Sequence, residues 1–235
     1  MAVNSLETLK KVNIETKDSC NRSCSFCPRS TYTDSGDEMS LGDYKVILEK
    51  LASYGYTGII SPVGNNEGLC DSRIVEIIKI THEILPDSLI NMDTNGDLLT
   101  PELLSKMLDA GLSNLTINHY DNSNTALYQL EGPITHRKTS DILLYNRAGN
   151  IDVEASEKTI LCLKLFVKMA INYRGDVLLC CADWFNTIKL GNAITDNIAD
   201  IWNSPLRNSY RDAHSMRLGH TLPPCNSCNR LVNEY

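Results

Sequence analysis

Short apolar runs alternate with amphipathic stretches through the first two thirds of the chain. Residues 12–16 read as a strand. Residues 40–54 read as a helix: Tyr44, Ile47, Leu48 and Leu51 recur on one face, and Ser40 stands where a cap accepts the first free N–H groups. A second strand is expected over 57–61. A second helix is expected over 73–85, with Ile74, Ile77, Ile78 and Leu85 turned inward. Residues 88–93 form a third strand in this reading. Thr100 then caps a helix with Pro101 at its first position and Gly111 just past its end. Residues 115–118 read as a fourth strand and 141–145 as a fifth. Strands alternating with helices at this spacing imply βα units and a parallel sheet, hence an α/β fold.

The pattern changes near residue 150. Two apolar runs, 165–172 and 176–181, are joined by Tyr173-Arg174-Gly175, which signals a hairpin. Helices are expected over 197–203 and 206–214. This divides the chain into 1–150 and 151–235. The second part is a small domain of roughly 80 residues, a size that normally needs a metal or a similar staple.

Charge narrows the function. There are 22 basic and 29 acidic residues, a net charge of −7, which argues against a nucleic-acid backbone or an anionic membrane as partner. No stretch is apolar enough to span a membrane, and the first residues lack the apolar core of an export signal. A cytoplasmic protein is expected. The nine cysteines then stand out. An odd number in a chain of this size argues against a disulfide scaffold and for metal–sulfur chemistry.

Cys20, Cys24 and Cys27 are spaced C-x3-C-x2-C directly after the first expected strand, where parallel sheets and barrels build their sites. Such a loop can wrap three thiolates around one face of a [4Fe–4S] cluster and leave one iron open to a small molecule. A zinc knuckle would want a fourth ligand nearby, and no His or Cys follows until Cys70. A second set comprises Cys162, Cys180, Cys225 and Cys228. Four thiols suit either a tetrahedral zinc or a closed iron–sulfur cluster, and spacing does not decide between them.

Cys20, Cys24 and Cys27, with Phe26 before the last, resemble the signature of the radical S-adenosylmethionine (SAM) enzymes. Gly64-Asn65-Asn66-Glu67 stands where that family usually has Gly-Gly-Glu, and Thr94-Asn95-Gly96 matches a turn common in it. Gly175–Asp183, Leu190-Gly191-Asn192, Ile201-Trp202-Asn203-Ser204 and the final C-x2-C resemble the family's C-terminal SPASM/twitch extension, in its shorter one-cluster form. The resemblance implies a partial (β/α)6 barrel over 1–150 and a twitch domain of hairpin plus helix over 151–235. It also implies two [4Fe–4S] clusters. One, on Cys20, Cys24 and Cys27, binds SAM. The other is auxiliary, on Cys162, Cys180, Cys225 and Cys228. Phe26, Asn66, Glu67, Asn118 and Arg147 fall at positions that contact SAM, with Glu67 facing its amino group. Cys70 and Cys181 are left over, and Cys181 is expected to be packed rather than bound.

The resemblance further implies reductive cleavage of SAM to a 5′-deoxyadenosyl radical that abstracts a substrate hydrogen. The twitch dehydrogenases of aminocyclitols are similar in cysteine spacing and compact size. A hydroxyl of a small sugar or cyclitol is therefore the expected target, with the auxiliary cluster accepting an electron. Arg147, His119 and Tyr120 are the candidates for substrate contact or proton removal. A flavodoxin- or ferredoxin-type reductant is implied. The alternatives are a modifier of a short peptide, a sugar epimerase or eliminase, and a non-catalytic iron–sulfur or zinc-stapled binding protein.

Overall fold

A computed structural model describes residues 5–121, 125–141, 145–152 and 161–229 of the chain. Strand β1 (Lys11–Ile14) is followed by helix α1 (Leu41–Ser53), β2 (Ile59–Ser61), α2 (Ile74–Ile84), β3 (Leu89–Thr94), α3 (Pro101–Asp109), β4 (Asn114–His119) and β5 (Ile134–Lys138). A short helix α4 (Lys164–Val167) leads into β6 (Lys168–Ile171), β7 (Asp176–Leu178) and β8 (Lys189–Asn192), and the chain continues through α5 (Ile198–Trp202) and α6 (Pro205–Ser215).

The strands form one sheet in the order β5-β4-β3-β2-β1-β6-β7-β8. β1 to β5 pair in parallel, β6 lies parallel to β1, and β7 and β8 return antiparallel. The six parallel strands thus include one from the C-terminal segment: β6, the first strand of the expected hairpin, extends the barrel sheet beyond β1. The hairpin turn needs Gly175, whose φ is +82° and whose added Cβ would meet the Ile194 side chain at 2.5 Å.

Local signals explain the helices. Ser40 Oγ accepts from Asp43 N at 3.0 Å, and Thr100 Oγ1 accepts from Leu103 N at 3.1 Å ahead of Pro101. One sheet face is apolar and carries the helices. Val12 and Ile14 of β1 pack with Ile47, Leu48 and Leu51 of α1 and with Met169 and Ile171 of β6. Val177, Ile198 and Trp202 join the same core, so the two segments share it. Ile90, Met92, Leu115 and Ile117 build a second cluster against α2 and α3. Truncating a fully buried member such as Leu48 to Ala would cost about 2–5 kcal/mol.

The fifth strand lies earlier than expected. It runs over Ile134–Lys138, while residues 142–144 of the expected 141–145 lie outside the described residues. Its sequence, ITHRK, has one strongly apolar residue, because an edge strand with one polar face needs no apolar run. β8 was not expected either; its KLGN sequence carries a single large apolar side chain.

Candidate active site

The first cysteine loop leaves β1 and is fixed by charge. Arg22, between Cys20 and Cys24, makes a bidentate fork to Asp97: Nε to Oδ2 and Nη2 to Oδ1, both at 2.5 Å. Its Nη1 donates to Asp121 at 2.8 Å. The loop after β1 is thereby tied to the loops after β3 and β4, in the geometry that suits guanidinium and carboxylate best. Arg29, two residues past Cys27, is buried. It pairs with Asp18 at 3.1 Å and with Asp34, and donates to the Asn65 carbonyl at 3.2 Å. Its guanidinium carbon lies 5.5 Å from the ring centroids of both Tyr32 and Trp184, so the C-terminal segment reaches this loop as well. Backbone contacts add to this: Cys27 N donates to Cys24 O at 3.0 Å, and Glu67 N donates to Ser19 O at 3.0 Å.

The turn after β2 closes on the turn after β3. Glu67 is buried. Its Oε1 accepts from Leu69 N at 3.1 Å and Thr94 Oγ1 at 2.7 Å, and its Oε2 accepts from Asn95 N at 2.8 Å. Burial raises its pKa against these stabilising donors. Glu67 therefore locks the Thr94-Asn95-Gly96 turn in place. Next to it, the Asn66 Oδ1 accepts from Gly64 N at 2.9 Å, but its buried Nδ2 has no partner. Cys70 Sγ stands 3.9 Å from Asn21 Oδ1, beside the first cysteine loop.

β4 separates its three candidates. Asn118 lies on the face opposite the core, donating to Thr94 O at 3.4 Å and accepting from Arg137 Nη1 at 3.3 Å. Tyr120 follows on the same side. Its ring sits 5.1 Å from that of Phe26, and burial pushes its phenol up to about 12. It is a neutral donor at physiological pH, not a base. His119 shares the strand parity of Ile117 and turns the other way. It stacks on Tyr128 at 4.0 Å and meets His136 Nδ1 through Nε2 at 2.9 Å. Burial, and then the His136 ring, hold its pKa down. A cavity of about 620 Å³ opens beside it, lined in part by Tyr120, Tyr128, Lys138 and Thr139. His119, turned onto the Tyr128 and His136 rings, makes none of the contacts that join Tyr120 to Phe26 and Arg22, although both residues line the cavity.

The second cysteine set lies around Cys162. Cys162 interacts electrostatically with Cys180, Cys225 and Cys228. Cys180 Sγ accepts from Ala182 N at 3.3 Å, and Cys162 N donates to His214 Nδ1 at 3.1 Å. The C-x2-C segment is stitched to residues 146–150. Asn146 Nδ2 donates to Ser227 O at 2.7 Å, and Asn146 N donates to Asn229 Oδ1 at 2.8 Å. This stitch places Arg147, whose φ of +48° is unusual for a residue with a side chain. Arg147 stacks over Tyr145 at 4.6 Å and donates to its hydroxyl at 2.9 Å. It lies within electrostatic reach of both Cys27 and Cys181. β7 ends at Leu178, so Cys180 and Cys181 stand beyond the strand. Cys181 is not simply packed: Lys164 Nζ is 3.7 Å from its sulfur.

The face of the sheet opposite the core is polar. Alternation puts Asn13, Ser61, Asn91, Asp93, Thr116 and Asn118 there, across β1 to β4. Asn13 Oδ1, Ser61 Oγ and Asn91 Oδ1 are buried without partners. Unmet polar atoms on one face are costly unless a ligand or water meets them.

The side chains fit clusters and an amino-acid cofactor. All nine cysteines are free thiols. Each thiol of the first set has a guanidinium in electrostatic reach: Arg29 for Cys20, Arg22 for Cys24 and Arg147 for Cys27. Lys164 does the same for Cys162 and Cys180. Burial pushes Cys20 up to about 11 and Cys225 up to about 12, so both need a coordinated metal to become thiolates. Among the described residues, no three Cys, His, Asp or Glu side chains converge as ligands of a single ion would. A four-iron cluster spreads its thiolates over separate irons.

Comparison with known proteins defines the class. The radical SAM superfamily profile matches residues 14–163, and that of an iron–sulfur cluster-binding domain, SPASM, matches 162–229. The chain belongs to the radical SAM superfamily and is an enzyme, an oxidoreductase, with SAM and two [4Fe–4S] clusters as cofactors. Among particular proteins it is similar to the S-adenosyl-L-methionine-dependent 2-deoxy-scyllo-inosamine dehydrogenase of Niallia circulans. The two are 27% identical over 94% of this chain and 92% of the relative. The crystal structure of BtrN in complex with AdoMet and 2-DOIA superposes with a TM-score of 0.87 at 26% identity, over 95% of this chain and 94% of that one. Streptococcus suis SuiB bound to precursor peptide SuiA shares the fold, with a TM-score of 0.57 at 13% identity over 87% of this chain and 67% of that one.

Arg22, Asp97, Arg29 and the polar sheet face were not singled out in the sequence. One signal was there: Lys11, Asn13 and Glu15 alternate with Val12 and Ile14, a two-residue period in which one face is wholly polar.

Proposed function

We propose that this enzyme oxidises a hydroxyl of a small polyol, a sugar or cyclitol, to a ketone. One observation carries the reading: the segment that bears Arg147 is bonded to the C-x2-C segment through Asn146, and the Arg147 charge is felt at Cys27 of the first set and at Cys181 beside Cys180 of the second. The match to a cyclitol dehydrogenase over nearly the full length of both chains supports it. We assign the SAM-binding cluster to Cys20, Cys24 and Cys27 and the auxiliary cluster to Cys162, Cys180, Cys225 and Cys228. We assign residues 1–150 to the barrel and 151–235 to the twitch domain, a two-part division that the separate profiles over 14–163 and 162–229 support.

When bound, SAM and the first cluster would supply the radical chemistry that removes a hydrogen atom from the carbinol carbon, and the auxiliary cluster would supply an acceptor for one electron. The protein's residues do the rest. Arg147 stays charged, since guanidinium is not deprotonated in proteins. It therefore steadies negative charge on the substrate oxygen and does not remove the proton, which passes to water. Tyr120, protonated and packed on Phe26, donates a hydrogen bond into the same space. The unmet atoms of Asn13, Ser61 and Asn91 match a ligand rich in hydroxyls. Glu67 acts as a positioning residue: its carboxylate holds the turns after β2 and β3, and the unmet Asn66 Nδ2 is a donor suited to the SAM carboxylate. We assign a flavodoxin- or ferredoxin-type reductant and a cytoplasmic setting, where free thiols persist. No helix among the described residues is long and apolar enough to cross a membrane.

The test is anaerobic incubation of the reconstituted enzyme with SAM, reductant and a panel of polyols. Equimolar 5′-deoxyadenosine and ketone are expected. A rearranged product at the same oxidation level, or turnover of a peptide alone, overturns the reading.

A further inference from the structure

We propose that the polyol oxidised here carries an anionic group, which seats against Lys11 and Lys168 on the polar face of the sheet. The inference rests on the dehydrogenase reading above and names the class of substrate within it. Lys11 opens β1 and Lys168 opens β6, and the register sets them side by side. Val12 and Met169, the next residues, are wholly buried in the core, so both lysines project from the opposite face. Like charges on neighbouring strands repel, and sheets ordinarily avoid the pairing. Neither lysine has a carboxylate within ion-pair distance among the described residues. The acid that faces them, Asp93, is shared with Arg137 at 3.5 Å.

The pair stands at the N-terminal ends of β1 and β6, on the same polar face as Asn13 and Asp93. Lys11 senses Asp93, Cys181 and Lys164 as well as Lys168, and burial first and Lys168 next lower its pKa. Asp93 in turn is sensed by Tyr120. Lys164 and Arg147 are accounted for by the sulfurs they approach. Lys11 and Lys168 have, among the described residues, no carboxylate of their own: Asp93 is shared with Arg137, and two partly buried ammonium groups side by side with less than one carboxylate between them suit an anion. An ammonium-bearing cyclitol would meet repulsion there. A polyol with a carboxylate or a phosphate supplies the missing charge.

The test uses the anaerobically reconstituted holoenzyme. Titration with inorganic phosphate is expected to show one site that weakens as KCl is raised. Affinity should fall at least tenfold in the Lys11→Gln/Lys168→Gln double variant and return in Lys11→Arg/Lys168→Arg. Equal phosphate affinity in wild type and the Gln variant overturns the proposal. A matched set of glucosamine, glucose, glucuronate and glucose 6-phosphate then separates the sources of charge. Glucuronate or glucose 6-phosphate should drive 5′-deoxyadenosine formation best, and its advantage over glucose should drop tenfold in the Gln variant. Preference for glucosamine, or an advantage unchanged in the variant, overturns the anionic assignment and leaves the dehydrogenase reading intact. Phosphate binding lost in the Gln variant, with no ketone from any sugar, supports the anion site and overturns the dehydrogenase reading instead.

Discussion

The two cysteine sites are held by different forces. Around Cys20–Cys27 the supports are ionic: Arg22 forks onto Asp97 and reaches Asp121, and Arg29 is buried against Asp18 and Asp34. Around Cys162, Cys180, Cys225 and Cys228 they are mostly neutral: the Asn146 contacts to Ser227 and Asn229, the His214 acceptor for Cys162 N, and the Ala182 N–H on Cys180. The difference follows from place. The first loop is tied to the loops after β3 and β4 and, in the proposed assignment, would hold its shape around a cluster with one open iron. Charge-assisted hydrogen bonds are directional and roughly twice as strong as neutral ones. The second set has no exchanging ligand in the proposed assignment, and neutral contacts suffice.

The strongest way to break this contrast is to remove one set at a time. Changing Cys20, Cys24 and Cys27 to Ala should abolish SAM cleavage and lower iron from about eight to about four per chain, as two four-iron clusters require. Changing Cys162, Cys180, Cys225 and Cys228 to Ala should also leave about four irons, but keep SAM cleavage and lose the ketone. Iron and sulfide counting with product analysis checks both. Loss of all iron from either change would show that the sites do not load independently.

A buried charge separates the supports next. Arg29→Met leaves Asp18 buried without its ion pair and should cost about 3–5 kcal/mol in denaturant unfolding. A cost below about 1 kcal/mol would mean that the buried ion network is not what holds the first loop.

The same network makes a pH prediction. Burial, with Asp18 next in effect, raises Glu15 from an ordinary 4.5 to about 8. Between those values the folded chain holds a proton that the unfolded chain has released. Stability should therefore fall as pH rises through that window and level off above about 8. Glu15→Gln, neutral throughout, should flatten that dependence. Urea midpoints at pH 6 and pH 8 decide it, and an equal slope in the variant assigns the dependence elsewhere.

Much of this was legible in the sequence for identifiable reasons. The cysteine spacings are local, and the α1 face of Tyr44, Ile47, Leu48 and Leu51 is periodic, so both can be read from one segment. The α/β fold and the hairpin followed from the same kind of signal. What was missed is non-local or weakly patterned. The Arg22–Asp97 fork joins residues 75 positions apart, and nothing local marks Asp97. β5 is an edge strand without an apolar run. His119 and Tyr120 are adjacent in sequence, and only the fold shows that one ring meets Tyr128 and His136 while the other meets Phe26. The polar sheet face was in view, but a strand read for its apolar residues hides what its other face offers.

The smallest effect tests the neutral side of the comparison. Asn146→Ala removes the side-chain bond to Ser227 O at 2.7 Å and the acceptor for Asn229 N at 3.2 Å, on a half-buried loop. Each neutral bond is worth about 0.5–1.5 kcal/mol net, so a stability loss of about 1–2 kcal/mol is expected. The informative readout is elsewhere. The stitch positions Arg147, whose left-handed backbone must be held by its surroundings, since such a conformation costs roughly 1–3 kcal/mol. Ketone yield per 5′-deoxyadenosine should therefore fall several-fold in Asn146→Ala while SAM cleavage and the iron count stay near wild type. If cleavage and ketone fall together, Asn146 supports the fold at large, and the two cysteine sites are less separable than their bonding suggests.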